Sequence, residues 1–252
     1  MSFSILCLIA SVFCSSLISA GNIDTRTRRW CDFDCVYIDI DPSLESRRSE
    51  FSAAVSELNE QTKGCFDLRD YRTIPNGDPF MWFRPSTGCS SFVGYRGCNY
   101  NPINIAPGCN KGAIIHEIMH ALGAHHEHQR PDREAYVNII TANIQPANFA
   151  ANFPIISTAQ AIGPYDYMSI MHYGSNAFGI TPSSLTVQTI DRNAQNLIGQ
   201  RSGLSPGDVN TVNVLLCKNQ NITKPAPSLV CPNDPNGSIF DNSTFIIEPP
   251  EV

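Results

Sequence analysis

Five of the six histidines fall between positions 116 and 128, in a run that begins His116-Glu117-Ile118-Met119-His120-Ala121-Leu122-Gly123-Ala124-His125-His126. On a helix, residues four apart share a face, so His116 and His120 can aim both imidazoles at one metal ion. Gly123 can take the positive φ that ends the helix, after which the turned chain delivers a third nitrogen from His126. Three neutral imidazoles leave the fourth position of a tetrahedral zinc open, as catalysis requires and a structural site does not. Glu117 lies one position round the helix, where a carboxylate can take a proton from a water on the ion without becoming a ligand. The pattern H-E-x-x-H-x-x-G-x-x-H is specific to this chemistry. An isolated histidine is usually a core or surface residue, and His125, His128 and His172 are read that way.

Those residues need elements to hold them. The histidine helix runs from about Lys111 to Leu122, with Ile114, Ile115, Ile118, Met119 and Leu122 available to a core. Upstream, Val36, Ile38 and Ile40 alternate with Tyr37 and Asp39 as a strand does. Asp41-Pro42-Ser43 then opens a helix whose apolar positions Leu44, Phe51, Ala54, Val55 and Leu58 keep a helical period, with Lys63-Gly64 ending it. From Cys65 to Cys109 the pattern is of short strands and turns. Between about Asp132 and Arg201 periodicity is poor, which predicts a loop-rich second lobe. Ser205-Pro206-Gly207-Asp208 starts a last helix carrying Val209, Val212, Leu215 and Leu216, with a serine cap and an acid three residues later.

The 252-residue chain carries a net charge of −6, and its arginines form local clusters, so no nucleic-acid partner is expected. Residues 1–20 read as a signal peptide: Phe3 to Ile18 is apolar and uncharged, and Ser19-Ala20 offers small residues for cleavage before Gly21. No later stretch is apolar enough to span a bilayer. Eight cysteines follow the leader, an even number that favours disulfides in an oxidising compartment. A cysteine-zinc site is the alternative that Cys31-x-x-x-Cys35 invites, but the histidines already account for a metal. After Cys217, prolines and three N-x-S/T sites, at Asn221, Asn236 and Asn242, mark residues 218–252 as a flexible, glycosylated tail.

The residues after His126 narrow the class. Glu127-His128-Gln129-Arg130-Pro131-Asp132-Arg133, followed by Tyr136-Val137, resembles the signature of the astacin family of secreted zinc endopeptidases, a branch of the metzincins. Ser169-Ile170-Met171-His172-Tyr173 is similar to that family's methionine turn, and Gly88 to Gly94 and Ile198-Gly199-Gln200-Arg201 are further matches. The resemblance covers roughly Trp30 to Cys217. It implies an α+β fold with two lobes: a twisted mixed sheet and two helices in the first, loops in the second, and a cleft between them over residues 21–217. It implies one zinc ion held by His116, His120 and His126, with Glu117 as general base and peptide bonds of protein or peptide substrates as the target. Met171 would lie beneath the metal, and Tyr173 would be a labile ligand able to donate to the oxyanion. Arg130, Asp132 and Arg133 are expected to form an ion-pair network. An extended substrate would pair with an edge strand near Cys89 to Val93.

The family pattern also implies disulfides Cys65–Cys217 and Cys89–Cys109, with Cys31–Cys35 a short loop; Cys98 and Cys231 depart from that pattern, and whether they pair stays open among the 105 connectivities of eight cysteines. It implies further that the mature α-amino group reaches Glu127 and lies about nine residues before a tryptophan matching Trp30; Gly21 stands nine residues before Trp30, so leader removal alone would produce the mature terminus. Cleavage after Arg26-Thr27-Arg28-Arg29, leaving Trp30 first, is the alternative. A catalytically silent zinc-binding or adhesion protein on the same scaffold is the rival reading. Its mark would be loss of Glu117 or of a histidine, and all four are present.

Overall fold

The structure, a computed structural model, describes residues 21–24, 30, 33–216 and 245–247. The leader, the basic run after Asp24, Cys31, Cys217 and the tail on either side of 245–247 lie outside the described residues. In chain order the regular elements are β1 (Asn22–Asp24), β2 (Val36–Ile40), α1 (Arg48–Gln61), β3 (Phe66–Leu68), β4 (Phe80–Pro85), β5 (Ser90–Phe92), β6 (Tyr100–Ile105) and α2 (Lys111–Leu122). They continue as β7 (Val137–Ile139), α3 (Pro146–Asn152), β8 (Ala159–Ala161), β9 (Val187–Thr189), α4 (Pro206–Leu215) and β10 (Phe245–Ile247).

The main sheet has six strands in the order β10-β5-β6-β4-β2-β3. Strands β3, β2, β4 and β6 run parallel, whereas β5 is antiparallel to β6 and β10 antiparallel to β5. The predicted helix after Asp41 begins as a 3-10 turn over Pro42–Arg47, where the Asp41 carboxylate accepts from the Ser43 amide, and becomes α1 at Arg48. Phe51, Ala54, Val55 and Leu58 face inward from it. Helix α2 starts under the Asn110 cap, whose side chain accepts from the Ala113 amide, and every residue from Gly112 to Leu122 is buried. A helix enclosed on all sides runs through the middle of a core, which gives its side chains fixed positions. Gly112 makes that enclosure possible: a Cβ there would meet the Arg201 carbonyl oxygen at 1.9 Å.

Two cores separate the lobes. The larger joins the sheet, α1, α2 and α4 through residues such as Ile38, Phe51, Phe83, Ile114, Ile118 and Val212. The smaller gathers Val137, Ile144, Phe153, Tyr165, Tyr173, Phe178, Val187 and Ile198 from the loop-rich stretch. Outside the main sheet, the strands among the described residues form two short antiparallel pairs, β7 with β9 and β1 with β8.

The disulfide expectations need correction. Cys35 pairs with Cys65, at a Cα–Cα distance of 4.6 Å, so neither Cys31–Cys35 nor Cys65–Cys217 forms. The reason is strand register: β2 and β3 run side by side with Val36 opposite Phe66, and the Val36 amide donates to the Cys65 carbonyl at 2.7 Å. That places the two preceding cysteines next to each other. Cys89–Cys109 is present as expected, 5.9 Å between Cα atoms. Cys98 is disulfide-bonded too, and Cys231, the cysteine left over with it in the sequence, lies outside the described residues. Within 218–252, residues Phe245–Ile247 form a strand on the main sheet.

Candidate metal centre

His116, His120 and His126 are all fully buried, and one nitrogen from each falls within 4.8 Å of the others. The first two come from α2. The third arrives through Gly123, whose φ of 123° turns the chain while its amide donates to the Met119 and His120 carbonyls. The His116 and His120 rings stand 4.6 Å apart at 89°, and those of His120 and His126 4.6 Å apart at 88°.

What fixes the three rings lies on their outer sides. Nδ1 of His116 donates to the Ile170 carbonyl at 2.7 Å, and Nδ1 of His120 to the Ala124 carbonyl at 2.8 Å. Nδ1 of His126 faces the Gln129 side-chain oxygen at 3.3 Å. That amide is oriented by its nitrogen, which donates to the Asn152 and Pro154 carbonyls. A carbonyl cannot donate, so each Nδ1 carries the proton and each Nε2 a lone pair. Nε2 of His120 and Nε2 of His126 lie 3.2 Å apart, where two lone pairs repel unless a cation lies between them. Zinc–nitrogen bonds of about 2.0–2.1 Å at a tetrahedral angle put the nitrogens about 3.3 Å apart, so the donor set fits zinc. Carbonyl and amide anchors on ligating imidazoles are the usual outer shell of such sites.

The turn Ser169–Tyr173 supplies one of these anchors and is itself tied down. Burial pushes the Asp208 carboxyl up to about 6, against the pull of the three groups that donate to it. Those donors are the Ile170 amide at 2.8 Å, the Ser169 hydroxyl at 2.7 Å and the Ser205 amide at 2.9 Å. Arg201 donates to the Ile170 carbonyl at 2.9 Å from the other side. In the sequence Asp208 is legible as half of a capping box, which it is. Its second task, holding the methionine turn, depends on a contact across 38 residues and left no sequence signal. Gln129 and Arg201 were likewise legible as motif residues but not as supports of the site.

Glu117 is fully buried on α2, next to His116. Met171 is buried in the larger core. Tyr173 brings its ring to 4.3 Å from that of His126 and stacks on His128 at 4.0 Å. His128 and His172 are outside the cluster. The first donates through Nε2 to the Asn152 carbonyl at 3.0 Å, and burial drives its pKa well down. The second donates through Nδ1 to the Tyr173 carbonyl and accepts at Nε2 from the Tyr165 hydroxyl, each at 2.7 Å, and burial lowers it to about 4. His125 is absent from the cluster as well. The expected ion-pair network is present for Arg130, which meets Glu127 at 3.1 Å and Asp132 at 2.9 Å. Arg133 instead donates to the His128 carbonyl at 3.0 Å. Burial pushes the Glu127 carboxyl up to about 8, against the opposing pull of Arg130 and of the Asp166 amide.

A helical H-E-x-x-H pair closed by a third histidine and backed by a methionine turn, on an α+β fold of two lobes, is the metzincin plan. Within that class the chain belongs to the astacin family of peptidases, whose family model matches residues 22–217. The chain is 38% identical over 174 residues to zinc metalloproteinase nas-36 of Caenorhabditis elegans, covering 68% of this chain and 28% of the relative. It is 36% identical over 189 residues to bone morphogenetic protein 1 of Xenopus laevis, covering 72% and 26%. The chain thus spans about a quarter of the length of these relatives. Among solved structures it is similar to high choriolytic enzyme 1, a hatching enzyme zinc-protease from Oryzias latipes, with TM-score 0.63, 29% identity and coverage of 85% and 99%.

Asp208→Ala strands two buried amides, those of Ile170 and Ser205, at about 1–3 kcal/mol each. The variant is expected to lose about 3 kcal/mol in urea unfolding. Zinc affinity should fall about 10- to 100-fold through the loosened Ile170 carbonyl. A competition titration with a chromogenic chelator reads the second effect. Unchanged affinity would mean the turn does not support His116.

Proposed function

We propose that the chain is a zinc-dependent endopeptidase acting on proteins or peptides. The observation that carries this reading is the convergence of three Nε2 lone pairs, fixed by their Nδ1 anchors, on a helix that also presents a buried glutamate. His116, His120 and His126 hold the zinc. When bound, it supplies Lewis acidity, lowering the pKa of a water to about 7 and polarising a carbonyl. Glu117 takes the proton from the attacking water and returns it to the leaving amine, one carboxylate serving as base and then as acid. The Tyr173 phenol, from the opposite lobe, donates to the carbonyl oxygen as negative charge gathers on it. The buried surroundings of Glu117 and Tyr173 exclude bulk water and strengthen both interactions.

Secretion is supported by the apolar leader and by the disulfides Cys35–Cys65 and Cys89–Cys109, which are rare in reducing compartments. A mature start at Gly21 is supported by the close packing of that end. Asn22 donates from its side chain to the His126 carbonyl at 2.9 Å, and a Cβ on Gly21 would meet the Thr211 hydroxyl at 2.0 Å.

Casein cleavage by the purified protein, abolished by a chelator and restored by zinc, tests the class. Glu117→Gln should keep the fold and one zinc per chain while losing at least about 100- to 10,000-fold in turnover. Substantial residual turnover would place the base elsewhere and contradict the mechanism. Tyr173→Phe is expected to lower kcat by an amount corresponding to about 2–4 kcal/mol with little change in KM, because its bond strengthens only in the transition state. Equal kcat values for wild type and variant would remove the tyrosine from the reaction.

A further inference from the structure

The strand that runs beside the metal-centre helix has an occupied outer edge. Strand β5 is bonded on one side to β6 and follows α2 closely: just beyond its end, the Gly94 amide donates to the His120 carbonyl at 2.8 Å. An edge strand in this position is the natural template for an extended polypeptide, because its outward N–H and C=O groups seek a partner. The partner here is the chain's own β10. Phe245 lies opposite Phe92, Ile246 opposite Ser91 and Ile247 opposite Ser90, in antiparallel register. Strand β10 also lies near α3 of the second lobe. The last residue of α3, Asn152, carries the carbonyl to which His128 and Gln129 donate, and Gln129 holds His126. Strand β10 therefore meets both lobes, the β5 edge of the first and α3 of the second.

We infer that Phe245–Ile247 is an internal occupant of the substrate strand site, so that the chain's own tail restrains its peptidase. This inference rests on the peptidase reading given above. A substrate pairing along β5 needs the same backbone groups that β10 uses, and the two exclude each other. An intramolecular competitor acts at an effective concentration on the order of millimolar. Substrate affinity is then reduced by the fraction of molecules whose edge is open, while turnover of bound substrate is not. The restraint is reversible: no bond is made or broken, and a tight substrate or loss of the segment releases it.

Successive N–H groups of a strand point to opposite sides, so one of Ile246→Pro and Ile247→Pro must remove an amide that faces β5. Both variants are made in the zinc-loaded full chain, and two readouts are taken. Hydrogen exchange of the Ser90–Phe92 amides, which does not depend on activity, should be at least tenfold faster in the effective variant. On an extended peptide substrate that variant should show KM lowered about tenfold at unchanged kcat. A synthetic peptide of residues 240–252 should restore the wild-type KM by competition. Equal exchange in wild type and both variants would overturn the inference, as would altered exchange with an unaltered KM. Loss of cleavage in every form, with the exchange difference intact, would instead remove the peptidase reading and leave the strand pairing in place.

Discussion

The structure turns on the three hydrogen bonds that hold the imidazoles from behind. Lone pairs on three nitrogens cannot be left converging in a buried space by packing alone, because each ring could flip and offer its proton instead. Acceptors at Ile170, Ala124 and Gln129 remove that freedom. Each acceptor is brought by a different part of the chain: the methionine turn, the residue after the Gly123 turn, and a side chain braced against the end of α3. The cost of burying these polar groups is offset only if every one of them is bonded. The surrounding loops can therefore be irregular without being loose.

The same logic extends outward. The Ile170 carbonyl can serve His116 only because its own peptide is fixed, through its amide to Asp208 and through its oxygen to Arg201. Asp208 is in turn the capping acid of α4, and α4 packs into the core that α2 traverses. A buried carboxylate that performs both tasks links the last helix to the first histidine. Removing one partner from such a network costs more than the bond itself, because the others remain desolvated.

Much of this was legible in the chain and some was not, for physical reasons. Helix α2 matches its expected bounds because its local signals agree: an asparagine cap, apolar residues on every face, and a glycine stop. The capping box of α4 and the two lobes were legible on similar grounds, since periodicity is present from Asp41 to Gly64 and weak from Asp132 to Arg201. Cys89–Cys109 agrees with the expectation, whereas the Cys35–Cys65 pair was not legible because it follows from strand register. Nothing in the spacing of Cys35 and Cys65 reveals that β2 and β3 lie parallel with Val36 against Phe66. The second task of Asp208 is tertiary in the same sense. Strand β10 was hidden by composition, since Phe245-Ile246-Ile247 is a short apolar run among prolines and glycosylation signals. Only the unmet backbone edge of β5 gives it a place.

The central claim is that three imidazoles, each bonded through Nε2, hold one zinc and leave room for reaction. Metal analysis with zinc X-ray absorption on the protein as isolated tests it most directly. The account predicts one zinc per chain, with three imidazole nitrogens at about 2.0 Å and the shell completed by oxygen. Sulfur in the shell, or fewer than three imidazoles around the metal, would contradict it.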